Sequence, residues 1–153
     1  MLKKLFLIIT ILITAVIFIH SSIPAVESTV QSDAAFNMLD NVTTVLHLPN
    51  LFTEISIRKL AHFTEFAVYG FFLSATFKSY CGSLKKDIFK ILFFLLSVPV
   101  IDETIQYFPK GRCAQVSDIL LDFSGGLFGV LCLAIIVYLF AKFKSKKQQK
   151  RQS

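Results

Sequence analysis

The chain has no Cys-x-x-Cys pair, no cysteine and histidine grouping at zinc-site spacing, and no internal repeat. Those absences leave no ground for a zinc module, a dithiol redox centre or a solenoid. Charge is scarce as well: 17% of the 153 residues are charged against 54% hydrophobic, and 17 are phenylalanine. A chain this apolar cannot cover a soluble domain with polar surface, and its place is a membrane. Lys and Arg outnumber Asp and Glu by 16 to 10. No aromatic-interleaved basic module accompanies them, so they read as cationic flanks of membrane helices, with lipid and not nucleic acid as the partner. No serine or cysteine stands beside an arguable base either, and Ser117 and Ser124 read as a cap and a packing residue.

Four segments approach the roughly 20 apolar residues that span a bilayer: Leu5–Ile23, Lys59–Phe77, Ile88–Phe108 and Asp118–Ala141. Lys3 and Lys4 before the first segment, with Ala25 after it, permit a cleaved signal peptide, but the run is long and Ile23 is bulky where a small residue is wanted. The segment is therefore read as the first helix of an all-α, four-transmembrane-helix bundle. Orientation follows the basic residues. With both termini cytoplasmic, twelve of the sixteen fall inside, and only Arg58, Lys59, Lys110 and Arg112 fall outside. In that topology Cys81 is cytoplasmic, Cys113 external and Cys132 within the bilayer. No internal disulfide is expected, since bridged Cα atoms must lie within about 7 Å.

Pro24 should end the first helix. In the long outer loop that follows, Ser32-Asp33 can cap a short interfacial helix whose apolar residues Phe36, Leu39, Val42, Val45 and Leu46 recur at threes and fours, ended by Pro49-Asn50. It would pack over the bundle mouth or act as a lid. Lys78–Asp87 reads as a basic turn broken at Gly82, and Phe108–Arg112 as a second, external turn. Residues 1–141 form one membrane domain, and the basic stretch 142–153 is expected to be a disordered tail.

The informative residues are the few polar ones inside apolar segments. His62, Glu65 and Tyr69 are spaced i, i+3, i+7 and share one helical face within about 60°. Asp102, Glu103 and Gln106 stand at the outer end of the third helix. Asp118 and Asp122 open the fourth, on a stripe continued by Gly125 and Gly129, whose small size lets a neighbouring backbone approach and marks that face as buried. All three stripes should meet at the outer mouth of the bundle. Inward acids survive in a membrane only if paired or hydrated, and Lys59 and Arg112 are the expected partners.

Three uses of such a cluster stay open. It can clamp helices as a buried ion-pair network. His62-x-x-Glu65 with Glu103, Asp118 or Asp122 can bind a divalent metal and activate water, although no second histidine shares the face. Or His62 and a carboxylate can form a base–acid pair while Arg112 holds a phosphorylated or carboxylated lipid headgroup. The candidate reactive set is His62, Glu65, Glu103 and Asp118. The candidate binding set is Lys59, Asp102, Gln106, Arg112 and Asp122, with Gly125 and Gly129 structural. Nothing in the residues names a cofactor, fixes a metal or gives an oligomeric state.

Three blocks in order carry a family resemblance: Arg58-Lys-Leu-Ala-His-Phe-Thr-Glu-Phe66, Asp102-Glu-Thr-Ile-Gln-Tyr-Phe108, and Gly111-Arg112 with Ser117-Asp-Ile-Leu-Leu-Asp-Phe-Ser-Gly-Gly-Leu-Phe-Gly129. Together with Ser21-Ser-Ile-Pro24, Ser28 and Ser32, they resemble the VanZ-like family of small bacterial membrane proteins, named after a protein that raises resistance to the glycopeptide teicoplanin. Its motif positions fall on the residues selected above and add Gly111 as a structural glycine. Two departures stand out. Pro109 is separated from Gly111 by Lys110, and Phe66 occupies a position where an aromatic with a hydroxyl is frequent. The resemblance implies action at the cell envelope on an envelope lipid, a lipid-linked cell-wall precursor or a lipoglycopeptide.

Overall fold

The computed structural model describes residues 1–24, 54–109 and 114–152. Among the described residues it is all-helical, with α1 Leu2–Ser21, α2 Glu54–Cys81, α3 Ile88–Gln106 and α4 Val116–Gln152. Helix α1 and residues Val116–Gln148 of α4 are long and apolar enough to cross a membrane. Their outward faces carry Ile8, Ile11, Leu12, Leu131 and Phe140, all exposed. Apolar residues on the exterior as well as the interior invert the arrangement of a soluble bundle.

Helix α2 is central. It packs most extensively on α4, with α1 laid against α2 and α3. The shared core is Ile17 of α1, Phe66, Tyr69 and Leu73 of α2, and Ile91, Leu95 and Val98 of α3. Phe66 and Tyr69 meet edge to face, with ring centroids 6.3 Å apart. Phe66 is 1% exposed, so its apolar ring belongs to this core. Because Ile17 is buried among α2 and α3 residues, α1 is an integral part of the fold.

The helix limits differ from the apolar segments in instructive ways. Helix α1 stops at Ser21 rather than Ile23, since the residue before Pro24 is pushed out of the helical region. Helix α2 starts at Glu54 and runs to Cys81, outlasting the stretch Lys59–Phe77 at both ends. Hydropathy counts apolar residues, whereas the hydrogen-bond ladder continues until a breaker, here Gly82 in the left-handed region at φ 74°. Helix α3 ends at Gln106, with Tyr107 as its cap, and it accommodates the buried Pro99 in its interior. Tail residues expected to be disordered continue α4 to Gln152. Lys, Gln and Arg are good helix formers, and no Gly or Pro interrupts them after Gly129. The interfacial helix expected within residues 33–48 lies outside the described residues.

Between α2 and α3, Lys90 Nζ lies 2.8 Å from Asp87 Oδ1. This holds the Asp87 carboxyl below the usual carboxylate range. The same carboxylate acts on the Cys81 thiol and pushes it up above the usual thiol range. The thiol is exposed but poorly ionised near neutrality, which bears on its use as a chemical probe.

Candidate functional site

At the end of α3, Asp102 is fully buried, and Glu103 and Gln106 are each 3% exposed. Gln106, one turn on, donates from Nε2 to Asp102 Oδ2 at 2.8 Å. Ser21, at the end of α1, donates from Oγ to Asp102 Oδ1. Gln106 Nε2 also lies 3.5 Å from Ser21 Oγ. A buried carboxylate is tolerable in this setting because donors from two helices meet it.

Helices α2 and α4 complete the cluster by unusually close contact. A Cβ at Gly125 would strike the Phe63 carbonyl, and one at Gly129 the Ala67 carbonyl. Gly70 of α2 stands in the same relation to Gly126. This contact brings Asp122 of α4 to His62 of α2, with Nδ1 and Oδ1 3.8 Å apart. Asp122 is 1% exposed, and neither of its carboxylate oxygens has a hydrogen-bond partner. One ligand-type atom each from His62, Asp102 and Asp122, on three different helices, lies within 4.8 Å of the others.

The expected histidine and glutamate set divides. Glu65 faces α1, with its Oε1 3.2 Å from His20 Nδ1, while His62 faces α4. Positions i and i+3 are about 60° apart around a helix, enough to point at different neighbours when the helix is packed on several sides. Glu103 Oε2 accepts the backbone N–H of Gln115 at 2.9 Å, tying the start of α4 to α3 beside a pocket of about 300 Å³. Asp118 is half-buried and receives Ser117 Oγ at 3.2 Å. Ser124 is exposed and bonds back to the Leu121 carbonyl at 2.6 Å, so it does not pack inside the bundle. Tyr69 points into the core, where its hydroxyl donates to the Phe94 carbonyl at 3.4 Å. Lys59 is exposed and forms no ion pair among the described residues, while Gly111 and Arg112 lie outside them.

Two contributors were not singled out from the sequence, His20 and Ser21. The available signal was a polar pair closing an otherwise apolar helix, just before Pro24.

Below the polar cluster opens an apolar groove of about 820 Å³ between α1, α2 and α3, lined by Phe18, Tyr69, Leu73, Phe77, Val98 and Ile101 among others. Phe18, Tyr69 and Val98 each lie one helical turn from Ser21, Glu65 and Asp102. The groove therefore runs up to the polar cluster.

A helical membrane protein with a buried polar cluster at the end of an apolar groove is the class these features define. Residues 6–140 match the family model described as VanZ/LLP1, and the chain belongs to the VanZ-like family, whose members are linked to glycopeptide resistance or envelope function. No match was found among curated proteins or among solved structures.

Proposed function

We propose that the protein crosses the cytoplasmic membrane four times with both termini inside, and that its polar mouth opens at the outer leaflet to hold the head of an amphiphile. The ligand class is an envelope lipid, a lipid-linked cell-wall precursor or a lipoglycopeptide, and the outcome is teicoplanin-type resistance or tolerance of envelope stress. The observation that carries this reading is the continuity of the apolar groove with the Ser21, Glu65 and Asp102 end of the bundle. A groove of that kind suits a chain, and a cluster of hydrogen-bonding groups at its end suits a headgroup. Arg112 is proposed as the bidentate anion clamp.

The pair of His20 and Glu65 separates a ligand site from a packing clamp. Its side chains are 55% and 23% exposed, so breaking it should cost less than about 1 kcal/mol of stability. His20→Ala and Glu65→Gln are expected to leave protein levels unchanged while moving teicoplanin susceptibility toward that of cells lacking the protein. Wild-type susceptibility in both variants at matched level would remove the mouth from the function.

Orientation has its own test in single-cysteine proteins. Cys113 should react with an impermeant maleimide in intact cells, and Cys81 only after permeabilisation. Because Asp87 keeps the Cys81 thiol protonated, labelling is run at about pH 8.5, where even a raised thiol ionises in part. Labelling of Cys81 alone in intact cells would invert the topology.

A further inference from the structure

We infer that His62, Asp102 and Asp122 bind one divalent transition-metal ion between α2, α3 and α4. The inference is independent of which leaflet the mouth faces and of any amphiphile.

Asp122 is the starting point. A carboxylate that is 1% exposed with both oxygens lacking a hydrogen bond is costly as an anion without a counter-charge. It is aimed at His62, whose Nδ1 at 3.8 Å is too far for a hydrogen bond yet near the separation of two atoms sharing an ion. Ligands at about 2.0–2.2 Å from a zinc-sized ion lie roughly 3–3.6 Å apart in a tetrahedral site. The three atoms, now within 4.8 Å of one another, need close by only about 1 Å, a side-chain adjustment.

The charges and donors agree with such an ion. Two carboxylates and a neutral imidazole carry two negative charges, which one divalent cation neutralises, as a poorly hydrated membrane interior requires. An imidazole with two carboxylates and no thiolate favours Zn²⁺ or Mn²⁺ over the all-oxygen preference of Mg²⁺ and Ca²⁺. Asp102 is also held as metal-bound carboxylates are. Ser21 and Gln106 each donate to one of its oxygens, fixing its orientation while leaving lone pairs. Ligands from three helices would make the ion a tie across the bundle.

The test uses full-length protein in detergent, stripped with a chelator and titrated separately with Zn²⁺ and with Mn²⁺, with bound metal counted after gel filtration and helix melting followed by circular dichroism. Wild type should retain one equivalent and melt at higher temperature with Zn²⁺. Asp122→Asn and His62→Gln should each lose at least about 100-fold in affinity, and Ser21→Ala about 10–100-fold as an orienting group. Metal-free Asp122→Asn should melt at or above metal-free wild type, since an amide needs no counter-charge when buried; His62→Gln, at a half-buried position, covers the case in which it fails to fold. Stoichiometric binding that survives both substitutions would put the ion elsewhere. Folded wild type that binds no Zn²⁺ or Mn²⁺ would make Asp122 a protonated packing group. Either result overturns the inference.

Discussion

Replacing Gly125 and Gly129 together with leucine should abolish the folded bundle, while Gly126→Ala should leave it folded. At Gly129 a Cβ would strike the Ala67 carbonyl oxygen and come within 2.7 Å of the Phe71 nitrogen. At Gly125 it would strike the Phe63 carbonyl oxygen. These obstacles are the backbone of α2, which cannot rotate away, so the two helices must separate. At Gly126 the nearest atom is Leu95 Cδ2 at 2.7 Å, the end of a core side chain, which can shift where a backbone cannot. Overpacking costs about 1–3 kcal/mol per site when neighbours can relax, and here the neighbour is main chain at two sites one turn apart. Separation would also withdraw Asp122 from His62. Size-exclusion profile and helical signal in detergent measure this directly. A monodisperse double-leucine variant with wild-type helicity would mean α2 and α4 do not pack through this face.

Much of the architecture is legible in the sequence because apolar helices are set by strong, local signals: apolar runs, Pro24 and Gly82 as stops, and small residues four apart on a buried stripe. The convergence of His62, Asp102, Gln106 and Asp122 follows from the same logic, since inward polar groups must find each other. Which pairs form is not local. His62 and Glu65 share a face, yet one meets α4 and the other α1, because their partners depend on the angles at which three helices surround α2. Ser21 is legible only as part of a family pattern. A single hydroxyl at a helix end has no periodicity to betray that it will bond to Asp102. Gly70 and Gly126 are not legible for a related reason: their closeness belongs to a helix pair and not to either helix alone. Glu103, a candidate reactive residue, also holds the Gln115 N–H in the fold, a contact that depends on the path of the chain into α4.

The most direct measurement of the central claim, a groove that holds an acyl chain with its head at the polar cluster, is photo-crosslinking in proteoliposomes with a phospholipid carrying a photoreactive acyl chain. After digestion, the label should concentrate on the groove residues Phe18, Leu73, Val98 and Ile101, and filling the groove with Ala15→Trp should remove most of it without changing the helical signal. Phe89 and Phe140, 83% and 73% exposed outside the groove, report lipid that merely surrounds the protein. Label spread evenly over Phe89, Phe140 and the groove, and indifferent to Ala15→Trp, would contradict the claim and leave the polar cluster as a device for holding helices together.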